Sequence, residues 1–239
     1  MTPDREKGYI LAGATVSMLL ISLTAAALVT LAANDLRRTA TLETRTEHEA
    51  LLRGALRVVS NELASPPRQR SLSFNSENSG EISLEGYDLT VQVRAERQKI
   101  DLNHASEEVI RQGLNELDLP GTVSARIWET YQSLRGHSRS VELVDDVLPS
   151  IETDAECLHT HFTVFDGWHG REPRPETPDF NDTLRPGERV QITLSHPELT
   201  RTLSAVVLIV GPVEPAAETL DLRLTPANHN ASRRTCHAI

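Results

Sequence analysis

Lysine is almost missing from this chain. Lys7 and Lys99 stand alone, and every other basic residue is arginine. Acids outnumber bases 34 to 24, giving a formal net charge of -10 and a pI near 5.4. A general nucleic-acid binder needs surplus Lys and Arg to neutralise phosphates, so that class is disfavoured. Cysteine is limited to Cys157 and Cys236, which excludes a disulfide-stapled mini-protein and a Cys-rich zinc module. No Gly-x-Ser-x-Gly elbow, phosphate-binding loop or dinucleotide fingerprint is present. Hydroxyls, histidines and acids fall at no spacing that suggests a catalytic triad, and the chain reads as no enzyme.

What the chain does have is one concentrated apolar run. From Tyr9 to Ala33 no residue carries a formal charge. As a helix this run is about 37 Å long at about 1.5 Å per residue, enough to cross a hydrocarbon core of about 30 Å. The apolar core of a cleaved signal peptide is shorter, about 7–15 residues. The simplest reading is a single-pass anchor, preceded by the charged head Met1–Gly8 and followed by Asp35, Arg37 and Arg38.

The same helix is expected to continue as an amphipathic segment. Leu52, Leu56, Val59 and Leu63 share one helical face, and Ser65-Pro66-Pro67 stops it. Residues 66–82 read as a polar loop with one short strand near Leu72–Phe74. Leu89, Val91, Val93 and Ala95 alternate as a half-buried strand. A helical block then runs from about Asp101 to Asp154. Asn103 or Ser106 caps its first helix, whose apolar face is Ile110, Leu114 and Leu117. Pro120-Gly121 turns the chain into a second helix with Val123, Ile127, Tyr131 and Leu134 on one face. A short third helix from about Ser140 carries Val141, Val144 and Leu148. Phe162–Phe165 reads as a strand and 166–188 as an exposed loop. Three further strands follow: Val190, Ile192 and Leu194; a central Leu203–Val210; and Leu220, Leu222 and Leu224. The tail from Pro226 is polar. The order predicts an α+β fold, with an antiparallel sheet packed on the long helix and a helical insert in between.

Several features resemble one family. Lys7-Gly8-Tyr9 ahead of the apolar helix resembles the leader of type IV prepilins and type II secretion pseudopilins. Lys99-Ile-Asp-Leu-Asn-His-Ala-Ser-Glu-Glu-Val-Ile110 resembles the start of the helical insert in K-type minor pseudopilins of type II secretion. Arg126–Gly136 and Ser140-Val-Glu-Leu-Val-Asp-Asp-Val147 are similar to that family's second and third insert helices, and Glu188–Leu224 to its final strands. The resemblance implies a pilin-like fold, cleavage between Gly8 and Tyr9 by a prepilin peptidase, and methylation of Tyr9. It also implies that Gly13 stands where most pilins carry Glu. A buried membrane carboxylate needs a partner, and in the family that partner is the N-terminus of the neighbour nearer the tip. Its absence favours a tip subunit.

Carried over, the resemblance divides the chain into a leader (1–8), a transmembrane helix (9–34) and its soluble continuation (35–65). The first part of the sheet domain follows (66–100), then the inserted helical subdomain (101–160), the remaining strands (161–226) and a loose tail (227–239). Leu11, Val16, Leu20, Leu23 and Leu28 would join Gly13 in helix assembly. The implied location is the inner membrane of a Gram-negative bacterium, with the C-terminal domain in the periplasm. The implied partners are the I- and J-type minor pseudopilins, the major pseudopilin, the inner-membrane assembly platform and the prepilin peptidase. In an oxidising periplasm Cys157 could pair with Cys236. The family is known for calcium, and Glu142, Asp145, Asp146, Asp154, Asp166, Asp179 and Asp182 could include its ligands. No EF-hand spacing is present, and the ligands do not map one by one.

Two other readings share residues with this one. The insert also resembles the helix-hairpin-helix module of membrane-anchored competence-type DNA receptors. Its hairpin, Leu119-Pro120-Gly121-Thr122-Val123-Ser124, has one Gly where that module has Gly-x-Gly. Residues 101–150 hold nine acids against four arginines, which repels phosphate. A minor pilin of a type IV pilus would share the leader and the fold. Finally, Cys157, His159 and His161 would face one way on a strand. Zinc accepts such donors, with His169 nearby, but no C-x-x-C or H-E-x-x-H supports a site.

Overall fold

The computed structural model describes residues 4–117, 119–136, 140–147, 155–165, 180–182, 184–211 and 216–227, with backbone alone for 4–14 and 155–157. The chain divides into two units, residues 1–49 and 50–239, and helix α1, Asp4–Ala64, supplies residues to both.

In the second unit α1 buries the face that the sequence marks. Leu52, Val59 and Leu63 are fully buried and Leu56 nearly so. Each such side chain contributes about 1.5–3 kcal/mol when taken from water. The helix ends at Ala64, ahead of Pro66 and Pro67. Its last carbonyls are held by one side chain. Arg70 donates from Nη2 to the Leu63 carbonyl at 2.8 Å and from Nε to the Ser65 carbonyl at 2.8 Å. Its Nη1 reaches the Phe180 carbonyl at 2.6 Å. A cation at a helix C-terminus also meets the negative end of the helix dipole. Burial lowers the Arg70 pKa, with Glu62 and Asp182 acting in the opposite sense.

The sheet under α1 is antiparallel and five-stranded, in the order β1-β2-β5-β6-β7. Its strands are β1 (Ser79–Leu84), β2 (Tyr87–Ala95), β5 (Arg189–Ser195), β6 (Arg201–Ile209) and β7 (Ala217–Pro226). Register follows the apolar alternation. Val91 lies opposite Leu194, Leu194 opposite Leu203, and Leu203 opposite Leu224, in one row across the core face. The α+β architecture expected from the sequence, a long N-terminal helix with an antiparallel sheet, is the one observed.

Some local readings of the sheet domain change. Leu72 and Phe74 are buried in the core but form no strand. The Asn181 side chain takes the place of a neighbouring strand, accepting from the Phe74 N–H and donating to its carbonyl, each at 2.9 Å. Part of the expected loop 66–82 is β1, an edge strand paired with β2. Glu85-Gly86 joins the two with positive φ at both residues, 50° and 87°, the geometry of a two-residue hairpin turn. β6, read as a central buried strand, lies inside the sheet between β5 and β7. In β7, Leu220 and Leu222 remain 36% and 37% exposed, because β7 is an edge and its register shifts opposite Val206/Val207.

The helical insert lies between β2 and β5 and has its own apolar cluster of Leu102, Ile110, Leu114, Leu117, Ile127, Tyr131, Val141, Val144, Val147, Leu158 and Phe162. Its helices are α2 (Glu107–Glu116), α3 (Gly121–Gly136) and α4 (Ala155–His161). Ser106 caps α2 by accepting from the Val109 N–H at 3.4 Å. Asn103 does other work, exchanging two hydrogen bonds with the Val141 backbone at 2.9 and 2.8 Å. That pairing holds the chain extended at Val141. Among the described residues the expected third helix is a 3-10 turn, Val144–Val147, and Leu148 lies outside them. The Phe162–Phe165 strand shortens to β4, Phe162–Thr163, which runs parallel to β3, Ile100–Asp101. Residues 166–179 and 228–239, read as loop and tail, lie outside the described residues.

Candidate functional site

The first functional surface is the apolar half of α1. It is long and apolar enough to cross a membrane, and none of its apolar stretch is buried. Val16, Leu20, Leu23 and Leu28 are each at least 56% exposed. Apolar exposure on this scale marks a surface meant for lipid or for other helices. Three hydroxyls of the run bond within the helix. Ser22 donates to the Met18 carbonyl at 2.8 Å, Thr24 to Leu20 at 3.0 Å and Thr30 to Ala26 at 3.0 Å. A hydrocarbon medium demands this, since unpaired polar groups there cost several kcal/mol each, on the order of 4–8 for transfer to an alkane. Gly8, Tyr9, Leu11 and Gly13 fall within α1, which begins upstream of them at Asp4. Backbone alone is described there.

The second feature is the joint between insert and sheet. Glu96 and Lys99 sit in the link from β2 to β3, and both are buried. Lys99 Nζ donates to Glu96 Oε1 at 2.5 Å and to Gln191 Oε1 at 2.8 Å. Thr163 of β4 donates to the other Glu96 oxygen. Gln191 in turn donates to Ser204 Oγ at 2.8 Å. The network thus ties β4, and the link that leads into β3, to β5 and β6. Burial pushes the Lys99 ammonium below its ordinary pKa, and Glu96 only partly offsets this. The sequence showed Lys99 only as part of a motif; nothing in it signals burial beside Glu96.

Of the suggested zinc donors, His159 and His161 are described, while His169 and the Cys157 side chain lie outside the described residues. Ala155–His161 is helical, so the i, i+2, i+4 spacing no longer puts Cys157, His159 and His161 on one face. His159 is bound to Asp145 and Arg223 instead. Among the described residues no group of three or more His, Cys, Asp or Glu is placed to hold a metal ion. Of the calcium candidates, Asp146 accepts from the Glu142 and Leu143 N–H groups at 3.1 and 2.8 Å. Asp145 is paired with His159 and Arg223. Asp154, Asp166 and Asp179 lie outside the described residues, as do Cys236 and the Cys157 side chain, so the expected disulfide does too.

The hairpin between α2 and α3 is closed by the Pro120 carbonyl, which accepts from the Val123 and Ser124 N–H groups at 2.8 and 3.1 Å. Beside it, Arg111 lies 4.9 Å from the centre of the Trp128 ring, so this arginine is engaged by the insert itself.

No family model and no curated protein sequence matches the chain. Among solved structures, the chain is similar to one in the crystal structure of the GspK-GspI-GspJ complex from the enterotoxigenic Escherichia coli Type 2 Secretion System. The match has 10% sequence identity and a TM-score of 0.43, and covers 81% of this chain and 100% of that one. At that identity and TM-score the likeness establishes no family.

Proposed function

We propose that the chain is a minor pseudopilin of the K type, anchored in the inner membrane by α1 with its C-terminal domain in the periplasm. It would sit at the tip of a type II secretion pseudopilus, prime its assembly with I- and J-type partners, and so aid export of folded proteins. The observation that carries the reading is the join at Gly8-Tyr9: a short charged head ending in Gly, then a charge-free helix that continues into a soluble domain. The α+β domain with a helical insert between β2 and β5 supports it. Gly13 in place of a carboxylate fits a subunit with no neighbour above it. The insert would hinder stacking of a further subunit.

The test is the intact mass of the membrane-extracted protein, with and without its prepilin peptidase. The expected result is loss of residues 1–8 and one added methyl on Tyr9, only when the peptidase is present. An uncut N-terminus in both samples would leave an ordinary anchor. Copurification with I- and J-type partners then separates the secretion reading from a type IV pilus.

A further inference from the structure

The stretch of α1 just past the apolar run is uncovered among the described residues. Asp35, Leu36, Arg37 and Arg38 are all exposed. Further along, Arg45 pairs with Glu49 at 3.1 Å. Among the described residues Arg37 and Arg38 have no such acid partner. Asp35 is the single acid in residues 34–42. Two arginines against one acid leave this stretch positive, in a chain whose net charge is -10.

The depth of the two arginines follows from the helix rise. The middle of the charge-free run Tyr9–Ala33 is Ile21. With Ile21 at the bilayer centre, Arg37 lies about 24 Å and Arg38 about 26 Å along the axis, at about 1.5 Å per residue. An ordinary tilt of about 20° brings them to about 23 and 24 Å from the midplane. The hydrocarbon ends at about 15 Å from the midplane and the headgroups at about 20–22 Å. A helical side chain leans toward the N-terminus of its helix, which here is toward the membrane. Both guanidinium groups therefore reach back into the headgroup layer on their long apolar stems. Glu43 and Arg45, about 33 and 36 Å along the axis, lie beyond it.

The chemistry at that depth selects the ligand. A guanidinium offers phosphate a planar fork of donors that an ammonium lacks. Successive helical residues point about 100° apart, so Arg37 and Arg38 address lipids on adjoining sides of the helix. We propose that Arg37 and Arg38 form a binding site for anionic phospholipid headgroups where α1 leaves the bilayer, a site that rests on the anchor reading of α1 and stands with or without the secretion reading.

Two steps test this on the full chain. Flotation with phosphatidylcholine vesicles after an alkaline wash asks only whether α1 is anchored. The chain is then held in detergent micelles with equimolar phosphatidylglycerol and phosphatidylcholine, and its lipid adducts are measured by native mass spectrometry. Each basic residue at a membrane surface favours an anionic partner about five-fold, and Asp35 offsets part of the pair's effect. The expected ratio is about five-fold or more for phosphatidylglycerol in about 0.05 M salt, shrinking toward about 0.5 M as the charges are screened. Joint Arg37→Gln and Arg38→Gln should bring the ratio close to unity, while Arg45→Gln leaves it unchanged. Equal adducts in the wild type, a preference that survives the double variant, or the same loss in Arg45→Gln overturns the site. Displacement of phosphatidylglycerol by inorganic phosphate at constant ionic strength would assign the arginines to free phosphate and overturns it too. If the double variant does not float, the wild-type salt series decides, and a ratio indifferent to salt overturns the site. A wild-type chain that does not float removes the anchor reading and this site together; one that floats with equal adducts removes the site alone.

Discussion

Arg70 shows how much one side chain can organise. Its guanidinium serves carbonyls from three places: the last turn of α1, the residue after it, and Phe180, which arrives from far along the chain. Glu62, in the same last turn, does the complementary task. Its carboxylate accepts from the Ser71 and Leu72 N–H groups at 2.7 and 3.2 Å. Arg70→Ala leaves three acceptors without that donor. We expect a loss of about 2–3 kcal/mol in urea unfolding, because hydrogen bonds to charged groups are worth about 1.5–3 kcal/mol each and water can reach part of this site. Arg70→Lys should recover only a minor part, since an ammonium cannot reproduce the planar fork. A variant as stable as the wild type would mean that water replaces the guanidinium at no cost.

At the scale of elements, α2 is fixed by an absence of side chain. A Cβ on Gly113 would lie 2.4 Å from Ile100 Cδ1 and 3.1 Å from Phe162 Cζ. The glycine lets α2 press onto both strands of the β3–β4 pair. Gly121, at the start of α3, has nothing within 4 Å of the same virtual atom. Gly113→Ala should therefore destabilise the insert by about 1–3 kcal/mol despite its better helix propensity. Gly121→Ala should be neutral or slightly stabilising. Thermal unfolding of the two variants side by side checks this; equal shifts would sink the packing argument. Gly113 also shows which elements can be read from sequence. Helices and strands with strict apolar period, such as Leu52–Leu63 or Val190–Leu194, declare themselves because burial on one face requires the pattern. β1 does not, because an edge strand containing Gly80, Glu81 and Ser83 buries little. Val141 failed as a helix because its pattern was local, whereas the Asn103 side chain that holds it extended comes from 38 residues away in sequence. The polar joints were illegible for the same reason: Glu96, Thr163, Gln191 and Ser204 become neighbours only once the sheet has formed.

For the whole molecule the decisive division is between two media. The exposed leucines of α1 are a liability in water and an asset in lipid, and Ser22, Thr24 and Thr30 among them bond to their own helix. A charge placed within that run tests the division directly. Arginine at the centre of a membrane helix costs about 2.5–3.5 kcal/mol on insertion scales, while leucine contributes about -0.3 to -0.6 kcal/mol. Leu23→Arg should therefore shift the balance by about 3–4 kcal/mol, enough to move much of the chain from alkali-resistant membranes to the soluble or degraded fraction. Leu42→Arg makes the same chemical change beyond Arg37 and Arg38, where the side chain is 60% exposed in the wild type. There the guanidinium can reach water, and membrane retention should be unchanged. Loss in both variants would point to a general folding defect. Retention in both would show that the run around Leu23 is not held in hydrocarbon, and the anchor reading would fail with it.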